Sequence, residues 1–184
     1  MILDRFDPKS WNVIYRFPEY EMAEPNRSPA SEDEGVEGAR FLIVEARFYD
    51  HIGAMLLEGA KRAFAKAGAH VHVVSVPGAL EIPIALAALF DGASATSEPY
   101  HGAIALGCVI RGETYHFEIV SNESARALTD LAVARKLAFG NGVLTVENET
   151  QAIVRADPEQ GDKGGDAARA ALALYRLKRK AGAL

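Results

Sequence analysis

The chain has 184 residues, of which 49% are hydrophobic and 24% are charged, with a formal net charge of −5 and a single cysteine, Cys108. These values predict one folded domain, and they exclude a disulfide-rich scaffold, a cysteine-based zinc site and the basic surface that nucleic-acid binding requires. No apolar run reaches membrane-spanning length and no secretory signal pattern is present, so we expect a cytoplasmic protein with no membrane partner.

The negative charge is concentrated near the N-terminus. Residues 1–39 hold nine acidic and four basic side chains, together with four of the eight prolines. A stretch of this composition buries little apolar surface when it folds. We therefore predict a mobile N-terminal extension over residues 1–39 and a folded domain over residues 40–184.

From residue 40 onward, short apolar runs alternate with helical patterns. Phe41–Val44 is a continuous apolar run, which is typical of a strand buried on both faces. Asp50 is expected to cap a helix whose apolar side chains follow the 3.6-residue period and which ends at Gly68. A second strand over Val71–Val76 and a short helix over Ile82–Phe90 follow.

The second half of the chain continues the alternation. A third strand is predicted over Ala103–Val109, then a long helix, then a fourth strand over Gly142–Val146. Asn148 to Gln151 forms a capping box that opens the next helix, and a last helix ends in basic residues. Because strand-helix-strand connections are right-handed, this order predicts a four-stranded parallel sheet with helices on both faces, a three-layer α/β/α sandwich.

Ligands of open parallel sheets bind beyond the carboxyl ends of the strands. The segments at those ends hold an aromatic residue (Phe48), a carboxylate between two prolines (Glu81), and the loop Arg111–Thr114 before a helix. Gly112 permits close backbone approach, Thr114 offers a hydroxyl, and the helix N-terminus supplies unpaired N–H groups. This pattern indicates a phosphate or carboxylate site, and an ordinary tight turn with a capping threonine is the alternative.

Four further side chains have competing interpretations. His116 follows the loop in the first helical turn and is a candidate proton donor or acceptor, although a lone histidine is often only a surface residue. Cys108 could be a thiol nucleophile, but a small buried residue at a strand end is the favoured interpretation. His70 and His72 share a strand face without a third ligand at suitable spacing, so no metal site is predicted.

Taken together, these segments resemble the lumazine synthases, a flavodoxin-like family that acts at the penultimate step of riboflavin biosynthesis. The resemblance covers residues 40–181, and it rests on motifs that occur in order: residues 45–48, 57–60, 76–83, 105–116, 141–145, 147–148, 151–152 and 162–165. It implies condensation of 5-amino-6-(D-ribitylamino)uracil with 3,4-dihydroxy-2-butanone 4-phosphate to 6,7-dimethyl-8-ribityllumazine, phosphate and water. No cofactor and no metal are implied.

The resemblance also assigns roles to individual residues. His116 matches the residue that transfers protons. The ribitylaminouracil contacts are implied to be Phe48, Ala79, Leu80, Glu81, Cys108, Val109, Ile110 and Asn141. The butanone phosphate contacts are implied to be Glu113, Thr114, Arg155 and Lys163. Tyr49, Leu80 and Asn141 depart from the residues that are common at these positions in the family.

Assembly is implied by the same resemblance. Family members form pentamers or sixty-subunit icosahedra with active sites at subunit interfaces, where Asn141, Arg155 and Lys163 come from a neighbour, and riboflavin synthase is a candidate partner. An N-terminal strand extends a neighbour's sheet in relatives, and Val13–Phe17 or Val36–Arg40 could do so here. A non-catalytic flavin-binding or lumazine-binding paralogue, or a shell-forming one, is the alternative function.

Overall fold

A computed structural model describes residues 36–94 and 99–183 of the chain. Most of the predicted extension, including Val13–Phe17, therefore lies outside the described residues. Four strands and five helices lie within them: β1 Arg40–Ala46, α1 Asp50–Lys66, β2 His70–Val76, α2 Glu81–Ser94, β3 Gly102–Ile110, α3 His116–Ala134, β4 Phe139–Val146, α4 Glu149–Ala156 and α5 Lys163–Lys180. Within this part of the chain, no helix combines the length and the apolar character needed to cross a membrane.

The four strands form one parallel sheet in the order β2-β1-β3-β4. The central strand β1 pairs with β2 on one side and with β3 on the other, so that Glu45 lies opposite both Ser75 and Leu106. All four carboxyl ends consequently meet at the same edge of the sheet. The predicted α/β sandwich with a four-stranded parallel sheet is confirmed.

Two apolar clusters cover the two faces of the sheet. On one face, Phe41 and Ile43 pack with α1, α4 and α5, whereas on the other face Leu42 and Val44 pack with α2 and α3. All four side chains are 0% exposed, because successive strand residues point to opposite faces and both faces are covered by helices. The continuous apolar run is therefore explained by burial on both sides.

The segment just before β1 also contributes to the core. Val36 and Ala39 are each 2% exposed and belong to the cluster that contains α1 and α5. The Gly38 N–H donates to the Gly68 carbonyl at 3.2 Å, which ties this segment to the end of α1. The core of this chain thus includes residues that lie ahead of residue 40.

Caps were predicted at the starts of two helices, with different outcomes. Asn148 caps α4, and its side chain accepts a hydrogen bond from the Gln151 N–H at 3.0 Å, as the capping pattern predicts. The prediction that Asp50 caps α1 is wrong, because Tyr49 occupies the N-cap position and makes no side-chain cap bond. Asp50 is instead the first helical residue, where its negative charge interacts favourably with the positive end of the helix dipole.

Candidate active site

A cavity of about 520 Å³ opens at the carboxyl edge of the sheet. Its walls come from the loop after β1, the turn between β2 and α2, the end of β3 with the following loop, and the first turns of α3. The lining residues are Phe48, Tyr49, Pro77, Gly78, Ala79, Leu80, Glu81, Cys108, Val109, Ile110, Gly112, Thr114, His116, Phe117 and Val120. The cavity lies where the order of the strands predicted a ligand site.

Nine of the thirteen site residues predicted from sequence line this cavity: Phe48, Ala79, Leu80, Glu81, Cys108, Val109, Ile110, Thr114 and His116. The other four, Glu113, Asn141, Arg155 and Lys163, are not among its lining residues. Glu113 lies in the same loop as Gly112 and Thr114 and is exposed. The remaining three lie on β4, α4 and α5.

The wall formed by the loop after β1 is aromatic. Phe48 is 72% exposed, and its ring meets the Tyr49 ring edge-on with centroids 5.0 Å apart. An exposed aromatic ring beside a cavity offers a flat apolar surface on which a heterocyclic ring can stack. Because so much of Phe48 is exposed, its position depends on the backbone that carries it.

Another wall contains Glu81. This residue begins α2, and its N–H donates to the Gly78 carbonyl at 3.2 Å. A Cβ atom at Gly78 would lie 2.9 Å from Glu81 Oε2, so glycine leaves room for the carboxylate over the turn. A carboxylate that faces a cavity can accept hydrogen bonds from hydroxyl groups of a ligand.

The loop between β3 and α3 is held by Arg111. Its Nε donates to Glu147 Oε2 at 2.7 Å, and its Nη1 donates to Glu118. Its guanidinium also lies over the Phe117 ring, 4.1 Å from the centroid. The hydrogen bond from Arg111 lowers the pKa of Glu118 below its usual range. One side chain therefore connects the end of β4, the loop and the start of α3.

This anchored loop brings groups of complementary chemistry to one side of the cavity. Gly112 and Thr114 precede His116, which is the first residue of α3. The amide groups at the start of α3 carry partial positive charge, and the Thr114 hydroxyl adds a donor, so this side suits an anion. An imidazole beside an anion site can donate a proton to a ligand or accept one from it.

Cys108 lines the cavity and is 8% exposed. Burial disfavours the charged thiolate and raises the pKa of Cys108 to about 11. At pH 7, only about one thiol in ten thousand is then ionised. The environment supports a packing role for this side chain rather than a nucleophilic one.

A chemical test follows from the raised pKa of Cys108. We expect iodoacetamide at pH 7 to leave the protein active and unmodified, with the alkylation rate rising about tenfold per pH unit toward pH 11. The Cys108→Ala variant is expected to keep its kcat within about threefold of wild type. Intact mass and activity are measured together, with a free thiol peptide as the control. Rapid alkylation at pH 7 with loss of activity would contradict a packing role.

Comparison with known proteins places this architecture in a family. The family model for 6,7-dimethyl-8-ribityllumazine synthase matches residues 38–179. The chain belongs to this family. It is 65% identical to the 6,7-dimethyl-8-ribityllumazine synthase of Methylocella silvestris over 163 residues, which cover 89% of this chain and 99% of that protein.

Two other relatives carry similar names. The 6,7-dimethyl-8-ribityllumazine synthase of Beijerinckia indica is 65% identical over 164 residues, covering 88% of this chain and 89% of that protein. The 6,7-dimethyl-8-ribityllumazine synthase 1 of Rhodopseudomonas palustris is 60% identical over 159 residues, covering 86% and 98% respectively. The similarity to lumazine synthases therefore extends over nearly the whole length of each relative.

Three residues that the lumazine synthase resemblance assigns to the site lie away from the cavity. Arg155 Nη1 donates to the Gln151 carbonyl at 3.0 Å, and within residues 36–94 and 99–183 its guanidinium forms no ion pair. Lys163 pairs with Asp166 at 2.8 Å. Asn141 lies exposed on the edge strand β4, where its Oδ1 accepts from the Val143 N–H at 3.0 Å.

Lys163 belongs to a charged cluster at the start of α5, in which Asp166 pairs with both Lys163 and Arg169. Burial opposes ionisation of Asp166, but hydrogen bonds from Lys163 and Arg169 outweigh that effect and lower the pKa of Asp166. The carboxylate therefore stays charged at neutral pH and holds the ammonium group of Lys163 at the start of α5. The positive charges of Arg155 and Lys163 thus lie on α4 and α5.

Sequence reasoning missed some of the cavity wall. Phe117 and Val120 were not assigned to the site from the sequence, and both line the cavity. The cavity adjoins the first turns of α3, and Val120 both lines it and packs against the core cluster on that face of the sheet. Both residues come shortly after the end of β3 in the sequence, and this closeness was the available signal that they belong to the cavity. The connecting role of Arg111 was not predicted, because its partners lie 7 and 36 residues away in the sequence.

Proposed function

We propose that this cavity binds 5-amino-6-(D-ribitylamino)uracil beside 3,4-dihydroxy-2-butanone 4-phosphate and that the chain condenses them to 6,7-dimethyl-8-ribityllumazine, phosphate and water. The observation that carries the proposal is the convergence of Phe48, Glu81, Thr114 and His116 on one cavity in a member of this family. An aromatic surface, a carboxylate, an anion site and an imidazole are the groups that these two substrates require.

The pyrimidine substrate is assigned to the wall between the loop after β1 and the start of α2. The exposed ring of Phe48 stacks against the pyrimidine, and the carboxylate of Glu81 accepts hydrogen bonds from the ribityl hydroxyls. Ala79 and Leu80 border the ribityl chain, while the β3 residues 108–110 offer backbone groups to the ring. The mostly apolar wall favours the flat ring, and the few polar groups determine its orientation.

The phosphate substrate is assigned to the loop that Arg111 anchors. Thr114 and the first amides of α3 hold the phosphate, and His116 transfers protons while the substrate amine attacks the ketone and phosphate leaves. The ribitylamino nitrogen then closes the ring. None of these steps requires a covalent bond to the protein, so holding both substrates in contact supplies most of the rate enhancement.

A complete site requires a second subunit in this proposal. Asn141, Arg155 and Lys163 reach the cavity of a neighbour within a homo-oligomer, which is a pentamer or an icosahedron of sixty subunits. Exposed apolar side chains beside Arg155 support this arrangement, since Ile153 and Val154 are 37% and 40% exposed. Riboflavin synthase, which consumes the product, is the proposed partner of the assembly.

Mixing the two substrates with the full-length protein tests the reaction directly. We expect lumazine fluorescence to rise at a rate proportional to protein concentration, with phosphate released in equal amount. Substrate binding without turnover would contradict the proposal and would favour the non-catalytic paralogue.

Co-assembled variants test the shared site. His116→Ala and Arg155→Met are each expected to be defective alone, the second through an increase of about 30-fold in KM for the phosphate substrate. Subunits co-expressed in equal amounts are expected to recover about a quarter of the wild-type sites, because one site in four then combines both intact residues from adjacent subunits. The activity of purified mixed oligomers is measured at low butanone phosphate. No recovery above the separately purified variants would place both residues in the same subunit.

A further inference from the structure

Glu45 is a buried carboxylate that does not line the cavity. It lies near the end of β1 and is 2% exposed, in a strand whose other core positions are apolar. Its Oε1 accepts hydrogen bonds from Arg47 Nε at 2.9 Å and from Ser75 Oγ at 2.8 Å. Its Oε2 is buried with no hydrogen-bond partner among the described residues. Burying a carboxylate is costly, so its retention here calls for a role beyond packing.

The two partners of Glu45 lead directly into two walls of the cavity. Arg47 precedes Phe48 and Tyr49, and Ser75 lies two residues before Pro77, where the wall that ends at Glu81 begins. Strands β1 and β2 separate at this point, after the Arg47 N–H donates to the Val76 carbonyl at 3.2 Å. Glu45 therefore joins the bases of both walls through one oxygen atom.

Arg47 extends this connection to helix α1. Its Nη1 donates to the Asp50 carbonyl at 3.4 Å and lies 3.9 Å from Asp50 Oδ1. The two residues between Arg47 and Asp50 are Phe48 and Tyr49. The backbone of the aromatic wall is therefore held at both ends, by Arg47 and by Asp50. Because Phe48 is 72% exposed, packing contributes little to its position, and the anchored backbone determines where its ring lies.

We propose that Glu45 is a positioning residue for the ribitylaminouracil site, and that it sets the spacing between the Phe48 wall and the Glu81 wall. It does not touch substrate. The inference rests on the proposed function, because it assigns the space between these walls to the pyrimidine and its ribityl chain. Loss of the anchor is then expected to weaken binding of this substrate while leaving the phosphate site, which Arg111 holds separately, unchanged.

Steady-state kinetics of Glu45 variants test the proposal. For Glu45→Leu, we expect KM for ribitylaminouracil to rise about tenfold and KM for butanone phosphate to stay within about twofold of wild type. Glu45→Gln keeps an oxygen that accepts from Arg47 and Ser75, so its KM is expected to stay within about threefold. Glu58→Leu is the matched control. It removes a carboxylate that pairs with Arg62 on the same helix, and neither residue lines the cavity.

Ser75→Ala and Arg47→Met each remove one of the two hydrogen bonds to Glu45 Oε1. They keep the proposal testable should Glu45→Leu fail to fold. Each is expected to raise KM for ribitylaminouracil about threefold. Equal increases in both KM values, an unchanged KM in all folded variants, or a Glu45→Gln variant as impaired as Glu45→Leu would overturn the proposal.

Hydrogen–deuterium exchange separates this inference from the proposed function. Amides of residues 47–49 and 75–81 are expected to exchange faster in Glu45→Leu than in wild type, whereas those of residues 111–117 are expected to keep their rate. Unchanged exchange in residues 47–49 and 75–81 would overturn the anchor regardless of activity. A wild-type protein that forms no lumazine would overturn the proposed function, and the exchange measurement would still decide on the anchor.

Discussion

Replacing His116 by alanine is expected to lower kcat about 100-fold while both KM values stay within about threefold of wild type. The imidazole lines the cavity at the first residue of α3 and is exposed to it, so its removal leaves the walls in place. A residue that acts by proton transfer contributes mainly to the transition state. Its loss therefore appears in kcat rather than in substrate affinity.

Two controls separate proton transfer from a general disturbance. His70→Ala removes an exposed histidine at the amino end of β2, away from the cavity edge, and is expected to retain wild-type kinetics. Added imidazole is expected to restore part of the activity of His116→Ala, because the vacated space opens to solvent. A His116→Ala variant with wild-type kcat, or one changed only in KM, would contradict the assigned role.

The same variant tests how much of the rate comes from holding the substrates together. Bringing two reactants into a fixed geometry supplies several kcal/mol without any proton transfer. His116→Ala is therefore expected to remain clearly faster than the reaction of the same substrates in buffer. An inert variant that still binds both substrates would show that positioning alone contributes little.

Apolar runs in the sequence predicted the fold because both faces of the sheet are covered. Phe41–Val44 is buried on both sides, and a continuous apolar run of this length is typical of a strand covered on both faces. The ends of the strands were less predictable. Strand β1 continues to Ala46 through the charged residue Glu45, because pairing with Ser75 and Leu106 extends the ladder beyond the apolar run. Tertiary pairing, which local sequence does not report, determines such ends.

The position of the site was predictable for a similar reason. Parallel strands bring their carboxyl ends to one edge, so the order of strands and helices in the sequence is enough to group Phe48, Glu81 and His116. Arg155 could not be grouped with them by this rule, because it lies on α4 and does not line the cavity of its own chain. Only the resemblance to lumazine synthases assigned Arg155 to the site, because nothing in the local sequence around it indicates a ligand contact.

The anchors of the site were the least predictable part. Glu45 lies within β1 after its apolar run and Arg111 directly follows β3, and the local sequence does not indicate the partners of either side chain. Their partners are distant in sequence: Ser75 is 30 residues from Glu45, and Glu147 is 36 residues from Arg111. Such pairs exist only after the sheet has formed. A charge directly after a buried apolar run was the one available signal.

Replacing Gly164 by alanine is expected to destabilise the folded protein by about 3 kcal/mol. A Cβ atom at this position would lie 1.9 Å from the Leu56 carbonyl oxygen and 2.7 Å from its carbonyl carbon. Those atoms belong to the backbone of α1, so no change of side-chain rotamer can relieve the clash. Helix α5 would have to move away from α1, and the packing of both helices in the core would be disturbed.

Gly92→Ala provides the matched control for this substitution. Gly92 lies within α2, and a Cβ atom there would meet nothing within 4 Å. Alanine is the better helix former, so this variant is expected to be as stable as wild type or more stable by about 0.5–1 kcal/mol. Thermal melting is compared at equal protein concentration, because the proposed homo-oligomer would make the apparent stability concentration-dependent. For Gly164→Ala, the expected decrease in Tm is about 6–12 °C.

The substitution also bears on why Gly164 occurs in the segment that resembles lumazine synthases. Asp162 caps α5 from a left-handed conformation, and its Oδ1 accepts from the Gly165 N–H at 3.2 Å. Gly164 then lets α5 begin against α1, which places Lys163 at the helix start beside Asp166. If Gly164→Ala melts within about 1 °C of wild type, the close helix contact does not account for this glycine.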